Sequence, residues 1–324
     1  MAISAHNYIL LAKHSYACVI IIGMTFSLKK EQLLEAYKEM LRARKIDEKS
    51  VVLYKQNKSF FQISCAGHEA VQVAAAKCMK PGKDWAYPYY RDMAFCAAWG
   101  MSTEDFMLCI MSKKDDPNSG GRQMPSHWGH KDLNIVSQSS PTGTQFLQAV
   151  GAAIAVKRQG LDSVVYVSAG EGTIAQGSYH EALNWAAREK LPVIFLIQNN
   201  EYAISVHISE QLAGESVVKI SSGYEGLHTE RINGLDYVTC HAAFSNAVAR
   251  ARAGEGPSVI SARVVRLQSH SISDNQYKYR TPAEITKDQE HDLSLIHISD
   301  PTRQHWSSSA VVRMKKPAGG GGGG

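Results

Sequence analysis

The spacing of apolar positions changes several times along the chain, and each change marks an element. From Leu28 to Ile46 the residues Leu33, Leu34, Tyr37, Met40, Leu41 and Ala43 recur at helical spacing against a charged face, which predicts an amphipathic helix. That helix is expected to begin at Met24, with Ser27 as its N-cap and Glu31 in its first turn. Small-residue helices are predicted from His68 to about Cys78 and from Phe146 to Lys157. Val164–Val167 is a short unbroken apolar run, as in a strand buried on both faces. Tyr179, Ala182, Leu183, Ala186 and Ala187 then predict a helix from about Gln176 to Glu189. Pro192 closes it, and Val193–Ile197 reads as a second buried strand. Residues 206–292 read as helix, short strand, helix and strand, the last from Ser258 to Leu267. Strand–helix–strand units belong in a parallel sheet. The predicted fold class is therefore α/β: three layers, α/β/α, around a doubly wound, mainly parallel sheet.

In such a unit both strands end on the same edge of the sheet, where open α/β folds bind ligands. Glu171, after the first strand, and Asn200, after the second, should meet there. A carboxylate, an amide oxygen and a nearby backbone carbonyl form an oxygen-only set suited to Mg²⁺, which fills its octahedron with water and phosphate oxygens. Gly170 and Gly172 would let backbone N–H groups approach a diphosphate. An ordinary strand–helix–strand unit with a polar turn explains the same spacing. The glycine pattern is not the dinucleotide fingerprint, which argues against NAD. His127 and His130 lack a third ligand placed to complete a zinc site. Residues 111–143 show no periodicity and are rich in Gly, Pro, Ser and Asn, so a long loop is expected there, functional or disordered.

With Glu171 of GEG followed 29 residues later by the second Asn of NN, the stretch from Gly170 to Ser205 is similar to the thiamine diphosphate motif. In detail it resembles the alpha subunit of the decarboxylating component of 2-oxo acid dehydrogenase complexes. The resemblance continues in Tyr90-Arg91 followed by Asp92, in GRQMPSH, in the segment from Ser140 to Gln145 and in HSISDNQYKYR from His270 to Arg280, and covers about residues 28–292. GRQMP, GEG and YAIS make the branched-chain 2-oxoisovalerate type the most similar. The resemblance implies a thiamine diphosphate-binding fold in which Glu171, Asn200 and the backbone oxygen of Tyr202 hold Mg²⁺. It places Tyr90, Arg91, Gly170, Gly172, Thr173 and Asn200 on the cofactor, with the backbone around Ser140 and Thr142 on the aminopyrimidine. Phe61, Tyr90 and Gln145 fall toward the substrate, and His270 is the catalytic residue, touching cofactor and the substrate's carboxylate, where an imidazole hydrogen-bonds or exchanges a proton near neutral pH. Ser271 and Ser273 match positions phosphorylated in some eukaryotic relatives. Two departures stand out: many members carry Asp at Glu171, and some branched-chain members carry a phosphate-binding Arg at Gln198. Taken alone, Arg91 has a surface ion pair as its lesser alternative, whereas Phe61 reads nearly as well as a core aromatic and Asn233–Asp236 equally well as a plain turn.

The implied function is thiamine diphosphate-dependent oxidative decarboxylation of a branched-chain 2-oxo acid, of the 3-methyl-2-oxobutanoate dehydrogenase type. The acyl group passes to the lipoyl arm of an acyltransferase partner. A beta subunit or fused beta half supplies the catalytic Glu, and the assembly is a heterotetramer. The alternatives are a pyruvate dehydrogenase alpha subunit, a transketolase-type enzyme, which leaves the His270–Arg280 loop unexplained, and a non-catalytic fragment, against which Glu171, Asn200, Arg91 and His270 stand together. Composition adds exclusions. Hydrophobic residues at 44% and charged residues at 20% describe a soluble globular chain. Most of the net charge of +5 sits in residues 293–324, where Arg303, Arg313, Lys315 and Lys316 face Asp300, so the body offers no nucleic-acid footprint. No apolar run reaches the roughly 20 residues that span a bilayer. The cysteines show no CxxC pair, which fits reduced thiols and a cytoplasmic location. Residues 1–23 are expected to be an extension outside the fold, 24–292 a truncated alpha domain, and 293–324, ending in a glycine run, a non-native tail.

Overall fold

The computed structural model describes residues 16–21, 24–214 and 216–293; the expected tail from 294 onward and residues 1–15 lie outside the described residues. Strands β1 (Tyr16–Ile21) and β2 (Met24–Lys29) pair antiparallel and lead into helix α1 (Lys30–Lys55). The helix expected from Met24 is thus a strand as far as Lys29. Thr25 and Phe26 favour extended backbone, and a partner strand is at hand. The N-cap is accordingly Lys29 rather than Ser27, and the Lys29 backbone N–H donates to Gln32 Oε1 at 2.9 Å.

In chain order there follow α2 (Glu69–Cys78), β3 (Trp85–Tyr87), α3 (Met93–Trp99), α4 (Thr103–Ile110), α5 (Thr144–Arg158), β4 (Val165–Gly170), α6 (Gly177–Arg188) and β5 (Val193–Asn199). A short antiparallel pair, β6 (Tyr202–Ala203) and β7 (Val206–His207), precedes α7 (Ile208–Gln211) and α8 (Val217–Ser221). The chain continues through β8 (His228–Asn233), α9 (Tyr237–Arg252), β9 (Ser258–Arg263) and α10 (Pro282–Gln289).

The main sheet has the order β3-β4-β5-β9-β8, with every pair parallel. Its strands feed two cores by simple alternation. Tyr166, Ile194, Leu196 and Ile260 pack toward α1, α2, α3 and α9. Val165, Val167, Phe195, Ile197 and Val259 pack toward α5 and α6 on the other face. Both faces are covered around β4 and β5, so residues 165–167 and 193–197 are unbroken apolar runs, as expected for strands buried on both faces. Each fully buried aliphatic or aromatic side chain of this kind contributes roughly 1.5–3 kcal/mol.

The chain runs outward through β3, β4 and β5, jumps to the far edge at β8, and returns through α9 to place β9 against β5. Strand order therefore reverses between β5 and β9. A crevice outside the carboxyl ends of such a pair is where open α/β sheets bind ligands. Residues 111–143 form a built loop rather than a featureless one. Asp116 accepts from the backbone N–H groups of Asn118, Ser119 and Gly121, and Asn118 Oδ1 accepts from Gly129 N–H.

Candidate functional site

β4 and β5 run in register, with Gly170 opposite Gln198, so the residues just beyond them leave the sheet side by side. The Asn200 backbone N–H donates to Glu171 Oε2 at 3.2 Å. Glu171 is 1% exposed, and its Oε1 has no partner. Burial pushes this carboxyl up to about 7, since nothing within the described residues neutralises it directly. Asn200 Oδ1 accepts from the Tyr202 N–H at 3.2 Å, and Asn200 Nδ2 lies 3.2 Å from His68 Nε2. Gly172 is required by a close approach: a Cβ there would stand 2.4 Å from the Ala203 Cβ. The spacing argument thus brings Glu171, Asn200 and Tyr202 together, and leaves a buried carboxylate oxygen unsatisfied among them.

Arg91, in the loop after β3, is 2% exposed. Its Nη1 donates to the Ser64 carbonyl at 2.5 Å, its Nη2 faces His270 Nδ1 at 3.5 Å and the His270 carbonyl at 3.4 Å, and its Nε has no partner. It forms no ion pair among the described residues, so the surface-pair reading falls. Arg266, just past β9, is also 2% exposed. It donates to the Ile204 carbonyl and the Tyr279 hydroxyl, lies 5.5 Å from the Tyr202 ring and 5.7 Å from the Tyr279 ring, and keeps Nε unpartnered. Neither guanidinium is in an ion pair among the described residues, and two such buried groups suit an anion.

His270 is half-buried beside them. Burial, then Arg91 and Arg266, push its pKa down to about 4, so the ring is neutral near pH 7. Because a guanidinium can only donate, Nδ1 accepts from Arg91 and the ring proton resides on Nε2. Of the two roles expected, hydrogen bonding and proton exchange near neutrality, the neutral ring favours the first. Tyr90 carries the Arg91 guanidinium 5.4 Å from its ring centroid, with the His270 ring 6.0 Å away. Ile272 N–H donates to the Gln62 carbonyl at 3.0 Å, which ties the His270 loop to the Phe61 segment. Phe61 itself is half-buried, next to Phe60 at 80% exposed.

The Ser140–Gln145 segment arrives from a different direction. Ser140 is exposed, and its Oγ lies 2.7 Å from His127 Nε2, whose Nδ1 meets the Met124 carbonyl at 3.0 Å. Thr142 Oγ1 accepts from Gln176 Nε2 at 3.3 Å. Gln145 is buried with both amide ends occupied, by Gly143 N–H and by the Ser168 carbonyl, so it braces the segment against β4. Gly170 and Thr173 are half-buried at the strand end and in the turn after it, and the Thr173 carbonyl accepts from Gln176 N–H. Of the remaining candidates, Asp236 caps α9 by accepting from the Val238 and Thr239 N–H groups, so the Asn233–Asp236 turn starts a helix.

Behind these residues runs a fully buried polar lattice that periodicity did not single out. Asp92 accepts from Tyr166, Ser168 and Gln198; Gln198 accepts from Gln72, and Gln72 also donates to the Arg91 carbonyl. Both ends of the Gln198 amide are therefore spent inside the fold. Burial raises the Asp92 carboxyl to about 6 despite its three donors. The signal for this lattice was present: Gln72, Ser168 and Gln198 are polar residues inside otherwise apolar runs. His68 and Arg266 carried no such signal.

Oxygen ligands at Glu171, Asn200 and Tyr202, a glycine turn and unneutralised guanidiniums make an arrangement able to hold a divalent cation together with a phosphorylated ligand. The family model for the dehydrogenase E1 component matches residues 37–305 of the chain. The chain is 43% identical over 270 residues to the 2-oxoisovalerate dehydrogenase subunit alpha of Bacillus subtilis, covering 83% of itself and 82% of that protein. It is 36% identical over 265 residues to the 3-methyl-2-oxobutanoate dehydrogenase subunit alpha of Mycobacterium tuberculosis, covering 80% of itself and 68% of that protein. Among solved structures, a transketolase from Campylobacter jejuni is similar in fold, with a TM-score of 0.53 and 18% identity over 70% of this chain and 37% of that one.

Proposed function

This chain belongs to the dehydrogenase E1 component family, and from that premise we propose that it is the alpha subunit of a thiamine diphosphate- and Mg²⁺-dependent enzyme that decarboxylates a branched-chain 2-oxo acid, 3-methyl-2-oxobutanoate first among them. The observation that carries the reading is the unpartnered Oε1 of Glu171, buried beside Asn200 and close to the uncompensated Arg91. A buried carboxylate oxygen with nothing to bind is costly unless a cation takes it. Glu171 Oε1, Asn200 Oδ1 and the Tyr202 carbonyl would hold Mg²⁺, while Arg91 and the backbone at Gly170–Thr173 would hold the diphosphate. When bound, thiamine diphosphate supplies the electron sink that decarboxylation of a 2-oxo acid needs. His270 Nε2–H then orients the substrate's carboxylate, and Tyr90 and Phe61 line the approach. The acyl product leaves for the lipoyl group of an acyltransferase partner, and a beta subunit completes the site.

Calorimetric titration of the chain with thiamine diphosphate, with and without Mg²⁺ and the beta subunit, tests this. Binding should require the metal, tighten with the beta subunit and disappear in Glu171→Ala. Binding of equal strength in the absence of metal, or in Glu171→Ala, would overturn the assignment of the site.

A further inference from the structure

We infer that His68 is a positioning residue that fixes the orientation of the Asn200 amide and thereby sets the affinity of the site for its divalent cation. The inference rests on the reading of the cation site under the proposed function. An asparagine presents its oxygen and its NH₂ in nearly the same shape, so it makes a dependable metal ligand only if something tells the two ends apart. Two contacts do so here. The Tyr202 backbone N–H, a donor, lies 3.2 Å from one end, which must therefore be Oδ1. The His68 Nε2 lies 3.2 Å from the other end, which must be Nδ2, and since an amide NH₂ only donates, Nε2 accepts. The Tyr202 contact assigns the two ends, and the His68 acceptor holds the amide in that orientation. They leave the second lone pair of Oδ1 for a cation, next to Glu171, whose Oε2 is held by the Asn200 N–H.

His68 is placed for this task by the turn before α2. Gly67 has φ +93° and presses so closely on the segment after β9 that a Cβ there would lie 2.1 Å from the Val265 carbonyl oxygen. The imidazole it delivers is 0% exposed. No hydrogen bond of good geometry reaches its Nδ1, although the Ala66 backbone lies near enough to favour its proton, and the charges that act on the ring are those of Arg91 and Arg266. An apolar side chain would fill that space without an unsatisfied nitrogen. The contact to Asn200 Nδ2 is the well-formed hydrogen bond that the imidazole provides there and an apolar group could not.

The test compares His68→Leu, which removes the acceptor, with His68→Gln, whose Oε1 can accept the same N–H. Each is titrated with Mg²⁺ at fixed thiamine diphosphate by calorimetry, in whichever assembly the unaltered chain binds. Loss of a group that orients a metal ligand typically weakens metal affinity about 10- to 100-fold. His68→Leu should shift the half-saturating Mg²⁺ concentration upward by that factor, with thiamine diphosphate affinity recovering at saturating metal. His68→Gln should recover most of the shift, and in an Asn200→Ala background His68→Leu should add nothing. A His68→Leu protein with the unaltered metal requirement overturns the inference, as does an effect that persists undiminished without Asn200. If His68→Leu fails to fold by circular dichroism, His68→Gln decides: a tenfold or larger shift in that variant overturns the inference and a near-native requirement supports it. An unaltered chain that binds thiamine diphosphate without regard to metal overturns the reading of the site itself, a separate outcome.

Discussion

Glu171 is the residue whose ionisation the fold opposes most plainly at the site. Its folded pKa, about 7, stands above the ordinary 4.5, so between these values the native chain binds more protons than the unfolded one. Stability of the metal-free chain therefore falls as pH rises through that window, by on the order of 3 kcal/mol when the ionisation is complete. Glu171→Gln, neutral at every pH, should be more stable than the unaltered chain above pH 7, and the gap should close as pH falls toward 4.5. Urea denaturation of both metal-free proteins from pH 5 to pH 8 measures it; a gap independent of pH, or of opposite sign, would refute the assignment. His270 works in the other direction. Its folded pKa of about 4 lies below 6.5, so its contribution is intact above 6.5 and is lost as pH falls toward 4. Glu171 and Asn200 were legible from spacing because two strand ends of one unit must lie together. His68 and Arg266 were not, since each arrives from a distant segment and nothing local marks a residue that will end buried beside another's ligand.

At the scale of elements, β4, β5 and the small-residue helices were read nearly to their ends, because burial leaves an unbroken apolar record. The strand expected to reach Leu267 instead ends at Arg263, since the apolar Val264, Val265 and Leu267 beyond it are buried without strand pairing. Where the record is short or overlaid, reading failed. β3 is three residues long and shows no period, and the helical spacing of α1 was extended back over β2, whose Thr25 and Phe26 belong to a hairpin. The loop of residues 111–143 was recognised by composition, but the contacts that build it could not be: the His127–Ser140 bond joins side chains 13 residues apart that share no periodic face. That bond is the link between the loop's own turns and the Ser140–Gln145 segment, which Gln145 and Gln176 clamp from the other side. His127→Phe keeps the ring's bulk and removes both the Nε2 contact to Ser140 and the Nδ1 contact to the Met124 carbonyl. Loss of the Ser140 bond alone amounts to about 1 kcal/mol, so the amides of residues 138–143 should exchange with solvent at least roughly fivefold faster. Those of β4 and β5 should be unchanged. Hydrogen exchange resolved by peptide measures both. Equal loss of protection in β4 and β5 would mean that His127 supports the core rather than the loop.

For the molecule as a whole, α/β architecture followed from the alternation of elements, whereas strand order did not. β8 carries the sequence HTERIN, half-exposed for most of its length, and nothing in it marks the edge of a sheet or announces that β9 will slip between it and β5. Yet that insertion creates the crevice, and the crevice decides what the chain needs from outside. Three carboxylates gathered there are held by neighbours. Glu171 Oε2 accepts from the Asn200 N–H and is a ligand in the proposed cation site, Asp92 is closed off behind the sheet ends by three donors, and Asp274 accepts from the His270 N–H and the Tyr279 hydroxyl. His270, neutral near pH 7, is a hydrogen-bond donor rather than a base with spare affinity for a proton. None of these four groups is placed as a free base for a proton leaving the cofactor, and we propose that the beta subunit supplies that acceptor. The chain by itself, saturated with Mg²⁺ and thiamine diphosphate, should release no CO₂ from 3-methyl-2-oxobutanoate above the rate of free cofactor. Adding the beta subunit should switch the reaction on, with kcat/KM higher for 3-methyl-2-oxobutanoate than for pyruvate. Measured CO₂ release from both acids, with and without the partner, separates the outcomes: turnover by the isolated chain would show that its own residues suffice for the proton transfer, and a preference for pyruvate would move the substrate assignment while leaving the cation site untouched.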